Sequence, residues 1–195
     1  MIRKAQTKDI SRLAEIEVFG KRVAYRPIYQ DDNGSFNMIQ VGNIIDEYRS
    51  NPALLEHILV YDDGIVKGMI NWKDCPNGGT TDEIELYCFY VEPFFKGQGI
   101  GRMLLEHLVD EAVKRHKKKM YAWVLIKNAS ARRFYERNGF AADGREGLVE
   151  GTTEYHMCYA RELGAVLPES DEKSGNGMLQ KTEEKTDVQD STAHF

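Results

Sequence analysis

Cysteine is scarce in this chain, with three residues in 195. Cys75, Cys88 and Cys158 are odd in number and far apart, which makes neither a disulfide framework nor the ligand spacing of a zinc site. They read as buried free thiols in a reducing compartment, and no metal is expected. Long apolar runs are missing too. Nothing approaches the ~20 residues that span a bilayer, and Met1-Ile2-Arg3-Lys4 runs into an alternating pattern with no apolar segment behind its charges. These absences predict a cytoplasmic protein without membrane contact. A basic face is also lacking. Of the formal net charge of −5, the stretch after Gly164 supplies −4 through seven carboxylates against three lysines, leaving −1 for the rest. Nucleic acid is therefore not an expected partner.

What is present is enough for one domain. A short strand from Ile2 to Ala5 leads to Thr7 as an N-cap and a helix in which Ile10, Leu13, Ala14 and Val18 recur at helical spacing. From Gly20 to Asn51 the chain is rich in Tyr, Asp, Asn and Gly, which predicts loops and short helices, the clearest around Met38, Ile39, Ile45 and Tyr48. Ile58–Tyr61 and Ile65–Trp72 flank Asp62-Asp63-Gly64 as a hairpin. A loop from Cys75 to Thr81 precedes a strand from Ile84 to Val91, which Pro93 ends. Next come a glycine loop and a helix with Leu104, Leu105, Leu108, Ala112 and Val113 on one side. A strand from Tyr121 to Ile126, a short helix from Ser130 to Arg137 stopped by Gly139, and a last strand from Thr152 to Tyr159 complete the domain, 1–163. Residues 164–195 lose their apolar content and read as a disordered acidic tail.

The sharpest local signal is Lys96-Gly97-Gln98-Gly99-Ile100-Gly101-Arg102, set between a strand and an amphipathic helix. Missing Cβ atoms let backbone N–H groups approach an anion, and the helix start adds its positive end. The same glycines also suit a tight turn with close packing. Spacing excludes two familiar phosphate loops. A dinucleotide fingerprint needs glycine at Arg102 or Leu104, and the lysine of a Walker loop is absent.

With Val91-Glu92-Pro93 in front of it, the segment resembles the acetyl-CoA loop of the GNAT superfamily, Gln/Arg-x-x-Gly-x-Gly/Ala, with Lys96 where Gln or Arg is usual. Downstream, Asn128-Ala129-Ser130-Ala131-Arg132-Arg133-Phe134-Tyr135-Glu136-Arg137-Asn138-Gly139-Phe140 is similar to the family's Asn-x-x-Ala-x-x-Phe/Leu-Tyr-x-x-x-Gly-Phe. The resemblance covers roughly Met1 to Arg161, resting on element order alone before Ile65.

It implies an α/β fold with a mixed, largely antiparallel central sheet, flanked by helices and splayed at the acetyl-CoA site. It also implies an N-acetyltransferase in which acetyl-CoA, as cosubstrate, is attacked directly by the amine of a small molecule or peptide. A monomer or homodimer fits, and the rival is a non-catalytic acyl-CoA sensor. Phe89, Tyr90 and Val91 would meet the pantetheine arm, with the Val91 N–H on the thioester carbonyl. Lys96, Gly97, Gln98, Gly99, Ile100, Gly101 and Arg102 would hold the pyrophosphate. Asn128 would bond the pantetheine or simply cap its helix, and Tyr135 would be the general acid or a core residue. Glu83 and Glu85, two apart on one strand face, are the candidate bases, Glu85 first, since Trp123 fills the family's alternative position; a solvated edge is the other reading. Tyr25, Tyr29, Asp31, Asp32 and Phe36 fall where the family builds its acceptor pocket, and could receive a cationic amine or form a polar surface loop.

Overall fold

The computed structural model describes residues 1–74 and 82–164. The expected loop at Cys75–Thr81 and the expected acidic tail lie outside the described residues. In chain order the elements are β1 (Ile2–Lys4), α1 (Ile10–Tyr29), α2 (Val41–Ser50), β2 (Ile58–Asp62), β3 (Val66–Asp74), β4 (Glu83–Val91), α3 (Ile100–Lys114), β5 (Lys119–Leu125), α4 (Ala129–Arg137), β6 (Ala141–Leu148) and β7 (Tyr155–Glu162).

The strands form one seven-stranded sheet in the order β1-β2-β3-β4-β5-β7-β6. Every neighbouring pair is antiparallel except β4 and β5. Strand alternation splits the apolar residues between two cores. Leu59, Ile70, Ile84 and Leu86 meet Leu104, Leu105 and Leu108 of α3 and Phe134 of α4. Ile58, Val60, Met69 and Cys88 meet Ile10, Leu13 and Ile16 of α1 and Tyr48 of α2. The three α3 leucines are essentially inaccessible, and each such burial stabilises by about 1.5–3 kcal/mol. That anchors the helix whose start forms the glycine loop.

Two features of β4 prepare the site. Its parallel ladder with β5 runs from Glu83↔Lys119 to Leu86↔Ala122 and stops there, so the strands part beyond Leu86. On the other side β3 pairs Asn71 with Cys88 and Trp72 with Leu86, which makes Tyr87 an extra, bulged residue. The bulge shifts the alternation. Leu86 and Phe89, three apart, both pack on the α3 side, while Cys88 and Tyr90 turn to the α1 side.

Three expectations are corrected. Thr7 is not the cap: α1 starts at Ile10 with Asp9 in the cap position, and Thr7 belongs to a short 3-10 turn before it, capped by Gln6, whose N–H donates to the Asp9 carboxylate at 2.8 Å. The loops and short helices expected from Gly20 do not begin there, because α1 runs on to Tyr29. Gly20 serves close approach instead, because a Cβ there would lie 2.4 Å from the Tyr90 ring. The last strand starts later than expected, at Tyr155, and β6 was not foreseen.

Candidate active site

Three hollows follow one another along the parted strands. The largest, about 1060 Å³, lies between the start of α3 and the end of α4; Lys96, Gly97, Gly99, Ile100, Gly101 and Arg102 line one side, Arg137 and Arg161 the other. Gly97 and Gly99 have φ of +76° and +77°, a backbone that L side chains rarely adopt, and an added Cβ at either would meet no protein atom within 4 Å. The cradle is therefore open. Met103 N–H donates to Gly99 C=O, the first bond of the helix, so the amides of Ile100, Gly101 and Arg102 have no intrahelical acceptor. Burial lowers the pKa of Lys96 and nearby Glu92 partly offsets this. Gln98 does not line the hollow.

Val91 belongs to this hollow and also to the second, the cleft between β4 and β5. Phe89, Tyr90, Trp123, Asn128 and Tyr135 line the cleft. The Asn128 side-chain oxygen accepts from the Ala131 N–H at 3.1 Å, so Asn128 does cap α4. The Tyr135 ring is fixed by Phe134, Phe140 and Tyr159, with centroids 5.5, 5.2 and 6.2 Å away. Burial, then Tyr25 and Cys88, pushes its phenol above the ordinary tyrosine value and so keeps it protonated.

Glu83 and Glu85 do not line the cleft. They sit on the paired part of β4, before the strands part. Glu85 Oε2 lies 3.3 Å from Lys73 Nζ and accepts from the Tyr121 hydroxyl at 3.3 Å.

The third hollow, about 420 Å³, is walled by Lys21, Tyr25, Tyr29 and Asp31 on one side and by Gly151, Thr152, Thr153 and Glu154 on the other. Tyr25 lines both this hollow and the strand cleft. Phe36 and Asp32 line neither. Phe36 is 47% exposed beneath the guanidinium groups of Arg22 and Arg26, and Asp32 pairs with Arg26 at 2.7 Å. Sequence reasoning missed Lys21 and the stretch from Gly151 to Glu154, where a turn before β7 carries no local mark of a site.

Residues 22–140, more than half of the chain, match the acetyltransferase (GNAT) family. The chain belongs to that family. The [ribosomal protein bS18]-alanine N-acetyltransferase of Escherichia coli K12 is 38% identical over 79 residues, covering 35% of this chain and 53% of that relative. The match thus spans about half the length of that relative. The L-methionine sulfoximine/L-methionine sulfone acetyltransferase of Salmonella typhimurium is 28% identical over 141 residues, 71% of this chain and 78% of that one. Among solved structures, yncA from Salmonella typhimurium with its cofactor acetyl-CoA superposes with a TM-score of 0.62 at 24% identity, covering 92% of this chain and 98% of that one. An N-acetyltransferase from Thermoplasma acidophilum in complex with coenzyme A gives 0.64 at 20% identity, over 83% and 98%. At these identities the structural likeness is one of fold. GNAT architecture accounts for the parted strands and the glycine cradle together. No helix among the described residues is long and apolar enough to cross a membrane, and no metal-ligand group occurs among them.

Proposed function

We propose that this chain transfers an acetyl group from acetyl-CoA to an amine by direct attack, without a covalent enzyme intermediate. The observation that carries the reading is the continuity of the three hollows, with Val91 shared by the first two and Tyr25 by the last two. A long thin cosubstrate entering from one end and an amine from the other would meet in the strand cleft.

In this reading the open backbone at Gly97 and Gly99, the free amides of α3 and the cations Lys96, Arg102, Arg137 and Arg161 suit a pyrophosphate. The Val91 N–H faces the thioester carbonyl, where charge builds in the tetrahedral intermediate. Asn128, its oxygen committed to the cap, offers its amide NH₂ to the pantetheine arm. Tyr135, held protonated by burial, gives its proton to the departing thiolate. Its aromatic neighbours hold the ring in position.

The experiment is a thiol-release assay with acetyl-CoA and a panel of alaninamide, tyramine, spermidine and a short peptide with N-terminal alanine. Amine-dependent appearance of free thiol, with the acetylated amine seen by mass spectrometry, is expected. Binding of acetyl-CoA without amine-dependent release would make the protein an acyl-CoA sensor instead.

A further inference from the structure

Direct attack requires a neutral nitrogen, yet an aliphatic amine is mostly ammonium at pH 7. Among the described residues, phenols, an amide and a thiol line the strand cleft, but no carboxylate does. The adjoining hollow has two, Asp31 and Glu154. Glu154 is only 9% exposed. Its Oε1 accepts from Lys127 Nζ at 2.7 Å, and Oε2 has no partner among the described residues. The chain path brings it to the cleft's edge. Tyr155 C=O accepts from the Ile126 N–H at 2.9 Å, and Asn128, next to Lys127, already lines the cleft.

The other groups around that hollow fit a cation. Lys21 is spoken for by Glu17 at 2.6 Å, and burial keeps the Tyr25 and Tyr29 phenols neutral, Glu154 adding to the effect on Tyr29. Asp31 contributes a second negative charge from the far wall. Two carboxylates and two aromatic rings make a receptacle for an ammonium group.

We propose that Glu154 receives the acceptor's ammonium in this hollow and takes its proton, so that the acceptor class is a primary aliphatic amine that arrives charged. The assignment rests on the acetyl-transfer reading. One N–H proton passes to Glu154 Oε2 and on to solvent. The freed lone pair forms a C–N bond to the carbonyl carbon, and the tetrahedral intermediate carries O⁻ and a protonated nitrogen. Its collapse breaks the C–S bond, the thiolate leaves with the Tyr135 proton, and the nitrogen's surplus proton restores the phenol. The sum is ammonium plus acetyl-CoA giving amide, CoA thiol and one proton.

The test compares wild type, Glu154→Gln and Glu154→Asp across pH with the best amine of the panel. In Glu154→Gln, kcat/KM at pH 7 should fall about 100-fold, and the deficit should shrink as pH rises through the amine's own pKa, about 8 for the α-amino group of alaninamide. Glu154→Asp should recover most of the loss. With aniline, uncharged at pH 7, the deficit should be small. A pH-independent deficit in Glu154→Gln, an unaltered profile, or an equal deficit with aniline each overturns the role of Glu154. Absence of thiol release by wild type with every amine overturns acetyl transfer itself.

Discussion

The Tyr90 hydroxyl donates to the Tyr25 hydroxyl across 3.1 Å, tying the parted strand β4 to α1 at the residue common to the strand cleft and the acceptor-side hollow. In Tyr90→Phe the Tyr25 ring keeps its packing but loses its tether. Stability should drop by about 1 kcal/mol, read by urea denaturation, and KM for the amine should rise severalfold while acetyl-CoA affinity holds. An unchanged amine KM would reduce the pair to packing.

Gly99→Val tests the cradle. With φ at +77° and free space around the added Cβ, the fold itself should lose only the backbone strain, about 1–3 kcal/mol. The rise in Tm that acetyl-CoA gives the wild type should nevertheless vanish, because the branched side chain fills the space left for the phosphates. Undiminished stabilisation would place the cosubstrate elsewhere.

Tyr135→Phe removes one oxygen from a ring clamped by three aromatic neighbours. The rate should fall ~10²–10⁴-fold with cosubstrate affinity nearly unchanged. Since the phenol titrates above its ordinary value, no alkaline limb from this group should appear below about pH 10. Full activity would make Tyr135 a core residue only.

Arg3 grips Asp9 with two hydrogen bonds, at 2.7 and 2.9 Å, and Asp62 with two more, at 2.9 and 2.7 Å, joining β1 to the start of α1 and the end of β2. For Asp9, burial works to raise the pKa, but the Arg3 bonds, the Gln6 N–H and the charges of Arg3 and Lys8 together outweigh it; for Asp62 the Arg3 bonds are the main cause, and both carboxyls lie below their ordinary value. A depressed folded-state pKa gives stability that is present above the unfolded value, about 3.9, and is lost as pH falls through the folded value. Thermal stability should therefore decline below about pH 4. Arg3→Met should be less stable at pH 7 and show a shallower acid decline; an equally steep one would sink the assignment.

How much of this was readable in advance depended on whether burial left a pattern. The α3 leucines and the glycines before them did, since one helical face meets the sheet and the loop has a spacing of its own. That Val91 and Tyr135 would stand on the cleft wall was legible through neighbouring motif residues. β6 was not: it is the edge strand at the end of the sheet, pairs only with β7, and nearly all of Ala141–Leu148 is exposed, so no alternation is imposed. In α1, Gly20 and Pro27 look like breakers, although the glycine makes room for Tyr90 and the proline sits in the last turns, where few helix bonds depend on it. Glu154 is the sharpest case, because its significance comes from Lys127 and Tyr29, brought to it only by the fold.

The carboxylates on β4 show the same limit from the other side. Alternation correctly put Glu83 and Glu85 on one face, but the strands part only after Leu86. Glu85→Gln should therefore cost little, within about threefold in kcat/KM, as expected for a partly exposed ion pair. A large loss together with an altered acid limb would restore Glu85 as the base.

Where β4 leaves β5, the sheet acquires a rim in its middle. Phe89, Tyr90 and Val91 are held by β3 on one flank only, through Ile70, Met69 and Gly68. In heavy water, amide protons aimed at the vacant flank should trade for deuterium far sooner than those of Ile84 and Leu86, which lie between two ladders. Adding a cosubstrate that lies along that flank should slow the exchange. The interior of the protein would then report occupancy of the cleft without any catalytic readout.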